Sequence, residues 1–141
     1  MKLNETLIRY LLLLLDCQKT MGDNIKSTTL AEAMGECRAL AHNRIVKLEQ
    51  KGIIVKKKYG KINFTEAGFA VAADFERKYN DILHFFYDIL NLEYEESVKN
   101  AYAFLGNLSI ESLEGMQRFV KNERVKADYK ADKVLFAESG I

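Results

Sequence analysis

The sequence predicts a mainly α protein with one small β-hairpin, and three observations carry that expectation. Proline is absent and only eight glycines occur, so few positions are forced out of helical backbone. Apolar residues recur at helical spacing through most of the chain. Between residues 53 and 64 the pattern changes to two β-branched, alternating arms around Tyr59-Gly60.

The elements follow in order. Asn4 suits the cap of a first helix whose Leu7, Leu11, Leu12, Leu14 and Leu15 crowd one broad face, closing near Gln18. Ser27, Thr28 and Thr29 offer cap oxygens for a short second helix from Leu30 to Met34, stopped by Gly35. A third helix runs from Arg38 to Lys51 with Cys37 at its cap, its Ala41, Ile45 and Leu48 spaced four and three apart, and Gly52 ends it. The hairpin comes next. Thr65 then opens a long helix, unbroken from Glu66 to about Leu90, and two more follow, Glu95 to Leu105 and Ser109 to Asn122, with Ser97 and Ser109 as caps. The end, from Glu123 to Ile141, is charged and then apolar at Val134, Leu135 and Phe136, helical or frayed.

Composition excludes several classes. The apolar run Tyr10 to Leu15 is far short of the roughly twenty residues that span a bilayer, and the start lacks the pattern of a secretory signal. The expected location is the cytoplasm, without a membrane partner. Cys17 and Cys37 fit neither a disulfide framework nor a metal knuckle, so two free thiols are expected. No Ser-His-Asp set, Gly-rich phosphate loop or apolar carboxylate pair occurs, which argues against an enzyme and leaves no catalytic residue to name.

Charge is uneven in a way the net +1 hides. Residues 1–65 hold twelve Lys/Arg against six Asp/Glu, whereas residues 66–141 hold nine against fourteen. Eight cations and two acids lie between Glu36 and Lys61 alone. One half is therefore suited to a polyanion.

Helix, helix, Gly, helix, Gly, basic hairpin is the order of a winged helix-turn-helix, and each part has a mechanical reason. The second helix braces the third through Leu30, Ala31, Met34, Ala41 and Ile45, so that the third can enter the major groove. Its outward residues Arg38, Ala39, Leu40, His42 and Asn43 are the candidate readers, because Arg forks onto guanine, Asn onto adenine, and Leu or Ala meets the thymine methyl. Arg44 and Lys47 further along, with Lys57, Lys58, Tyr59 and Lys61 at the hairpin tip, suit phosphate. His84 has no carboxylate or thiol at ligand spacing, so it is expected to be interfacial or exposed. Tyr79, Phe86, Tyr102 and Phe104 read either as core and interface or as the lining of a pocket for an organic effector.

The runs Leu30 to Gly35, Lys47 to Gly52 and Tyr59 to Gly68, continued by Arg77-Lys78-Tyr79, Ile89 to Glu93 and Leu108-Ser109, resemble the DtxR/MntR family of metal-dependent, including iron-dependent, transcriptional repressors. The resemblance covers about residues 4–122 and is closest to the short, manganese-sensing form without an SH3-like domain. It implies a winged helix-turn-helix DNA-binding domain over 1–65 and a helical dimerisation domain over 66–141, hence double-stranded DNA and a second copy of the chain as partners. Family members use Mn2+ or Fe2+. The ligand positions fall here on Thr6, Arg9, Tyr79, Leu83, Tyr102, Leu105 and Gly106, a degenerate set. The expectation is thus no metal and no cofactor, and a homodimeric, sequence-specific repressor that is not metal-switched, with an unidentified small-molecule effector as a further candidate partner. The alternatives are a MarR-like regulator sensing an organic molecule and a winged-helix protein-interaction module that does not bind DNA.

Overall fold

A computed structural model describes residues 1–138, including the side chains of residues 1–124 and of Lys126. The element order is α1 (Glu5–Met21), α2 (Ser27–Met34), α3 (Arg38–Gln50), β1 (Ile54–Lys56), β2 (Ile62–Phe64), α4 (Glu66–His84), α5 (Tyr94–Asn107) and α6 (Ile110–Glu138). The mainly helical winged-helix architecture expected from the sequence is the one observed. Two compact units form, one from Met1–Arg77 with Leu105–Asn107, the other from Lys78–Phe104 with the chain from Leu108 onward.

In the first unit, Asn4 caps α1 as expected, its Oδ1 accepting from the Leu7 N–H at 2.9 Å. Seven residues of α1 are buried, from Leu7 to Leu15, the broad apolar face that α2 and α3 cover. The start of α2 differs from expectation. It begins three residues early, at Ser27, with Lys26 at the cap and no side-chain hydrogen bond there. The reason is tertiary: Lys26 is held extended in an antiparallel bridge to Lys61, and the neighbouring Ile25 carbonyl accepts from the Ile62 N–H at 2.8 Å. The helix therefore starts where that bridge ends. Cys37 likewise caps α3 by backbone alone.

Gly35 takes the left-handed conformation (φ 65°, ψ 26°) and returns its N–H to Ala31 and Glu32 carbonyls, the close that makes α2 and α3 a helix-turn-helix. The arms of the hairpin pair antiparallel, Ile54 opposite Phe64 and Lys56 opposite Ile62. Thr65 fastens the hairpin base to α4. Its Oγ1 donates to the Gly52 carbonyl at 2.6 Å and accepts from the Gly68 N–H at 2.9 Å.

The second unit departs from the expected unbroken helix. Instead α4 gives way at Phe85–Ile89 to a turn of π-helix, closed by the Leu90 N–H on the Phe85 carbonyl at 3.0 Å. Asn91 then adopts φ 57° and ends it. Ser97 is not a cap; it is fully buried inside α5 and its Oγ donates back to the Glu93 carbonyl at 2.9 Å. Ser109 does cap α6, accepting from the Ser112 N–H at 3.1 Å. The helix α6 runs on past Asn122 to Glu138, while the side chains of Val134, Leu135 and Phe136 lie outside the described residues. Ile82, Phe86, Ala101, Leu113 and Val120 form the core. The four aromatic residues pack in pairs, Phe86 edge-on to Phe104 at 4.9 Å and Tyr79 tilted on Tyr102 at 4.8 Å. Asp81 on α4 ties down α6, accepting from Gln117 and Arg124 at 3.0 Å each.

Candidate nucleic-acid interface

Only three of the thirteen residues of α3 are buried, Ala41, Ile45 and Leu48. They form one stripe, and everything opposite it faces solvent. Arg38, Ala39, Leu40, His42, Asn43 and Lys47 are all exposed. Leu40 is 43% exposed, a large apolar side chain that, with its neighbour Ala39, is suited to the thymine methyl. Arg44 stands apart from these. It is half-buried, with Nε 3.9 Å from Glu36 Oε2.

The hairpin carries the second cluster. A five-residue connection joins its arms, closed by the Lys57 N–H on the Lys61 carbonyl at 2.8 Å. Lys57 and Lys58 are exposed, and Lys61 is half-buried. Tyr59 is the most exposed large hydrophobic side chain among the described residues at 87%, and it sits in left-handed backbone at φ 63°. That conformation is uncommon for any residue but Gly, Asn or Asp. Here the turn and the adjoining Gly60 at φ 72° impose it.

Two residues beside the exposed face of α3, Lys56 and Glu49, were absent from the expected set. Lys56 Nζ lies 3.4 Å from His42 Nδ1, linking β1 to α3, and the Lys56 N–H donates to Glu49 Oε2 at 3.2 Å. The helix and the hairpin are thereby joined by their polar residues. A hairpin lysine meeting a helix residue fourteen positions earlier has no local signature, so spacing alone does not reveal it.

The seven positions carried over from the metal-dependent family hold no donor set. In the first unit Arg9 pairs with Glu5 at 3.3 Å, Thr6 is half-buried and Leu105 is buried. Gly106 has a packing role, since a Cβ there would meet the Glu5 nitrogen at 2.8 Å. In the second unit Tyr79 and Tyr102 stack on each other, and Leu83 is half-buried. Leu and Gly offer no side-chain donor. Among the described residues, no group of three or more His, Cys, Asp or Glu gathers as a metal would need. His84 pairs with the Asp88 carboxylate one helical turn on, at 2.5 Å, which corrects the expectation that it has no carboxylate within reach.

Tyr10 gives the packing beside α3 a pH dependence. Its phenol is pushed up from 10.0 to about 12, by burial first and then by the adjoining Glu36 carboxylate. A folded-state pKa raised above the unfolded one gives stability that is full below pH 10.0 and lost as pH rises through about 12. The urea midpoint of the wild-type protein is expected to fall across that window, and Tyr10→Phe to lack this component of the fall. Parallel profiles for the two proteins would contradict the assignment.

No model of a protein family and no curated protein matches the chain. Solved structures do match. The manganese regulator SloR superposes with a TM-score of 0.72 at 21% identity, over 86% of this chain and 55% of its own. The metal-dependent transcriptional regulator MtsR gives 0.73 at 21% identity, over 82% and 53%. A hypothetical protein from Sulfolobus solfataricus gives 0.63 at 15% identity, over 84% and 89%. The chain spans about half the length of the two regulators.

These neighbours correct one expectation. No cofactor was expected on side-chain grounds, yet structures with this fold include a manganese-dependent repressor in complex with manganese and ScaR with bound Zn2+ and with bound Cd2+. Divalent metal ions are therefore ligands of proteins with this fold, and the expectation of none does not stand. No helix among the described residues is long and apolar enough to cross a membrane. With its helix-turn-helix, basic hairpin and following helices, the chain has the fold of the DtxR/MntR-type metal-dependent transcriptional regulators.

Proposed function

We propose that the chain is a sequence-specific, DNA-binding transcriptional repressor that acts in the cytoplasm as a homodimer. The observation that carries this reading is the exposed polar face of α3 standing beside a lysine-rich hairpin. Residues 1–65 form the DNA-binding domain in this account, and residues 66–141 the dimerisation domain. Arg38, Ala39, Leu40, His42 and Asn43 read base edges, while Lys47, Lys57, Lys58, Tyr59 and Lys61 hold the backbone. Support for pairing comes from the second half. Tyr87, Leu90, Tyr94, Ile110 and Phe119 are 45–57% exposed there, apolar surface of the kind that subunit contacts cover. A two-fold dimer then meets two half-sites of a near-palindromic operator.

The test is selection of bound duplexes from random DNA, run with chelator and with added manganese. Recovery of a near-palindromic motif supports the reading. The manganese arm shows whether the metal dependence named for SloR and MtsR extends to this chain. Recovery of no motif in either arm contradicts it and favours a protein-interaction module.

A further inference from the structure

On the protein-facing flank of α3, three polar side chains from three separate segments come together, with the Glu36 carboxylate adjoining both the Tyr10 phenol and the Arg44 guanidinium. Tyr10 on α1 is fully buried. Glu36 sits in the turn between α2 and α3, and Arg44 lies on α3 itself. The Glu36 and Arg44 side chains are only 21% and 26% exposed. Tyr10 Oη, Glu36 Oε2 and Arg44 Nε are each shielded from solvent, and none of the three makes a direct hydrogen bond of good geometry among the described residues. Arg44 Nε is 3.9 Å from Glu36 Oε2.

Such groups cost free energy when buried, so stability alone is a poor reason for three of them to meet. Position on the helix gives a better one. At about 100° per residue, Arg44 lies about 40° around α3 from the buried Leu48 and about 100° from the outward Asn43. It leaves the helix on the flank that faces the protein. Glu36 would otherwise present an unpaired carboxylate at the start of a helix that approaches phosphate.

We propose that Tyr10, Glu36 and Arg44 form an internal brace that fixes the orientation of α3, making Arg44 a positioning residue and not a phosphate contact. This inference rests on α3 being the reading helix. Glu36 is the keystone, because it alone can face both the phenol and the guanidinium as an acceptor. Arg suits the role better than Lys, since its planar fork holds a fixed direction once one nitrogen is engaged.

The test has one arm without DNA and one with it. In urea unfolding of the free protein, Glu36→Gln and Arg44→Gln are expected to be non-additive, the double variant retaining about tenfold more folded protein than the two single losses imply. Additive losses would overturn the brace whether or not the protein binds DNA. With DNA, Glu36→Gln and Arg44→Gln should each weaken the selected site about tenfold, leaving random duplex affinity and the salt slope unchanged. A phosphate-gripping Arg44 gives the opposite result: Arg44→Gln weakens both duplexes alike and lowers the salt slope by about one, while Glu36→Gln tightens binding. Should Glu36→Gln prove too unstable to assay, Tyr10→Phe keeps the ring and removes only the hydroxyl, and it should weaken the selected site alone. Wild-type protein that binds neither duplex sinks the proposed function and leaves the DNA-free arm to decide the brace.

Discussion

Gly68→Ala is expected to destabilise the protein by about 3 kcal/mol or more, since a Cβ at Gly68 makes the closest approach of any among the described glycines. A Cβ at that position would lie 1.8 Å from the Ile53 carbonyl oxygen and 2.5 Å from its carbon. The obstacle is backbone, not the end of a flexible side chain, so either α4 or the root of β1 has to move. That same junction is held by hydrogen bonds from the Thr65 N–H to the Ile53 carbonyl, from Thr65 Oγ1 to the carbonyls of Gly52 and Ile53, and from the Gly68 N–H to Thr65 Oγ1. Shifting it also displaces the hairpin. Gly115→Ala is the control, since a Cβ there meets only Arg118 at 3.6 Å. Within α6 it should stabilise by about 0.5–1 kcal/mol. Urea denaturation of both variants checks the pair, and equal stabilities would show that α4 does not approach Ile53 this closely.

Arg38→Ala should lower affinity for the selected site by about 1–3 kcal/mol while leaving random duplex nearly untouched. Arg38 is the first residue of α3, exposed, and able to fork onto guanine O6 and N7. Lys58→Ala on the hairpin should act differently, weakening both duplexes alike and reducing the salt slope by about one. Fluorescence anisotropy at several salt concentrations separates the two. If the two variants lose the same fraction of affinity on both duplexes, the division of labour between helix and hairpin is wrong.

Much of the fold was legible because its signals are local. Asn4, Gly35, Gly52 and the β-branched arms each act within a few residues, and all four end or begin the elements expected of them. What escaped depends on distant partners. Lys26 replaces Ser27 at the start of α2 because it bridges to Lys61, a pairing 35 positions away. The π turn at Phe85–Ile89 adds one residue to the backbone ladder without changing the apolar pattern, so periodicity alone reads straight through it. Ser97 misled for a chemical reason: a hydroxyl that favours caps also bonds back to the carbonyl four residues earlier inside a helix.

The candidate site was legible to the same degree. Its outward residues follow from helical spacing, and six of those on α3 are exposed. Arg44 was grouped with the phosphate contacts on its charge and its place further along α3, and only packing shows that it faces Glu36. Lys56 beside His42 and Tyr10 beside α3 depend on tertiary approach and leave no mark on spacing. The expectation of no cofactor failed differently. It came from side-chain chemistry at seven positions, and the metal-bound neighbours, not those positions, speak for what proteins of this fold bind.

The central claim is that this fold presents a reading helix and a basic hairpin to DNA, and its most direct test is affinity for the selected duplex as a function of salt. The account predicts a linear fall of log K with log salt, with a slope of about −0.9 for each phosphate neutralised, and a clear preference for the selected duplex over random sequence at every salt concentration. Affinity that does not change with salt, or that is equal for the two duplexes throughout, would contradict it.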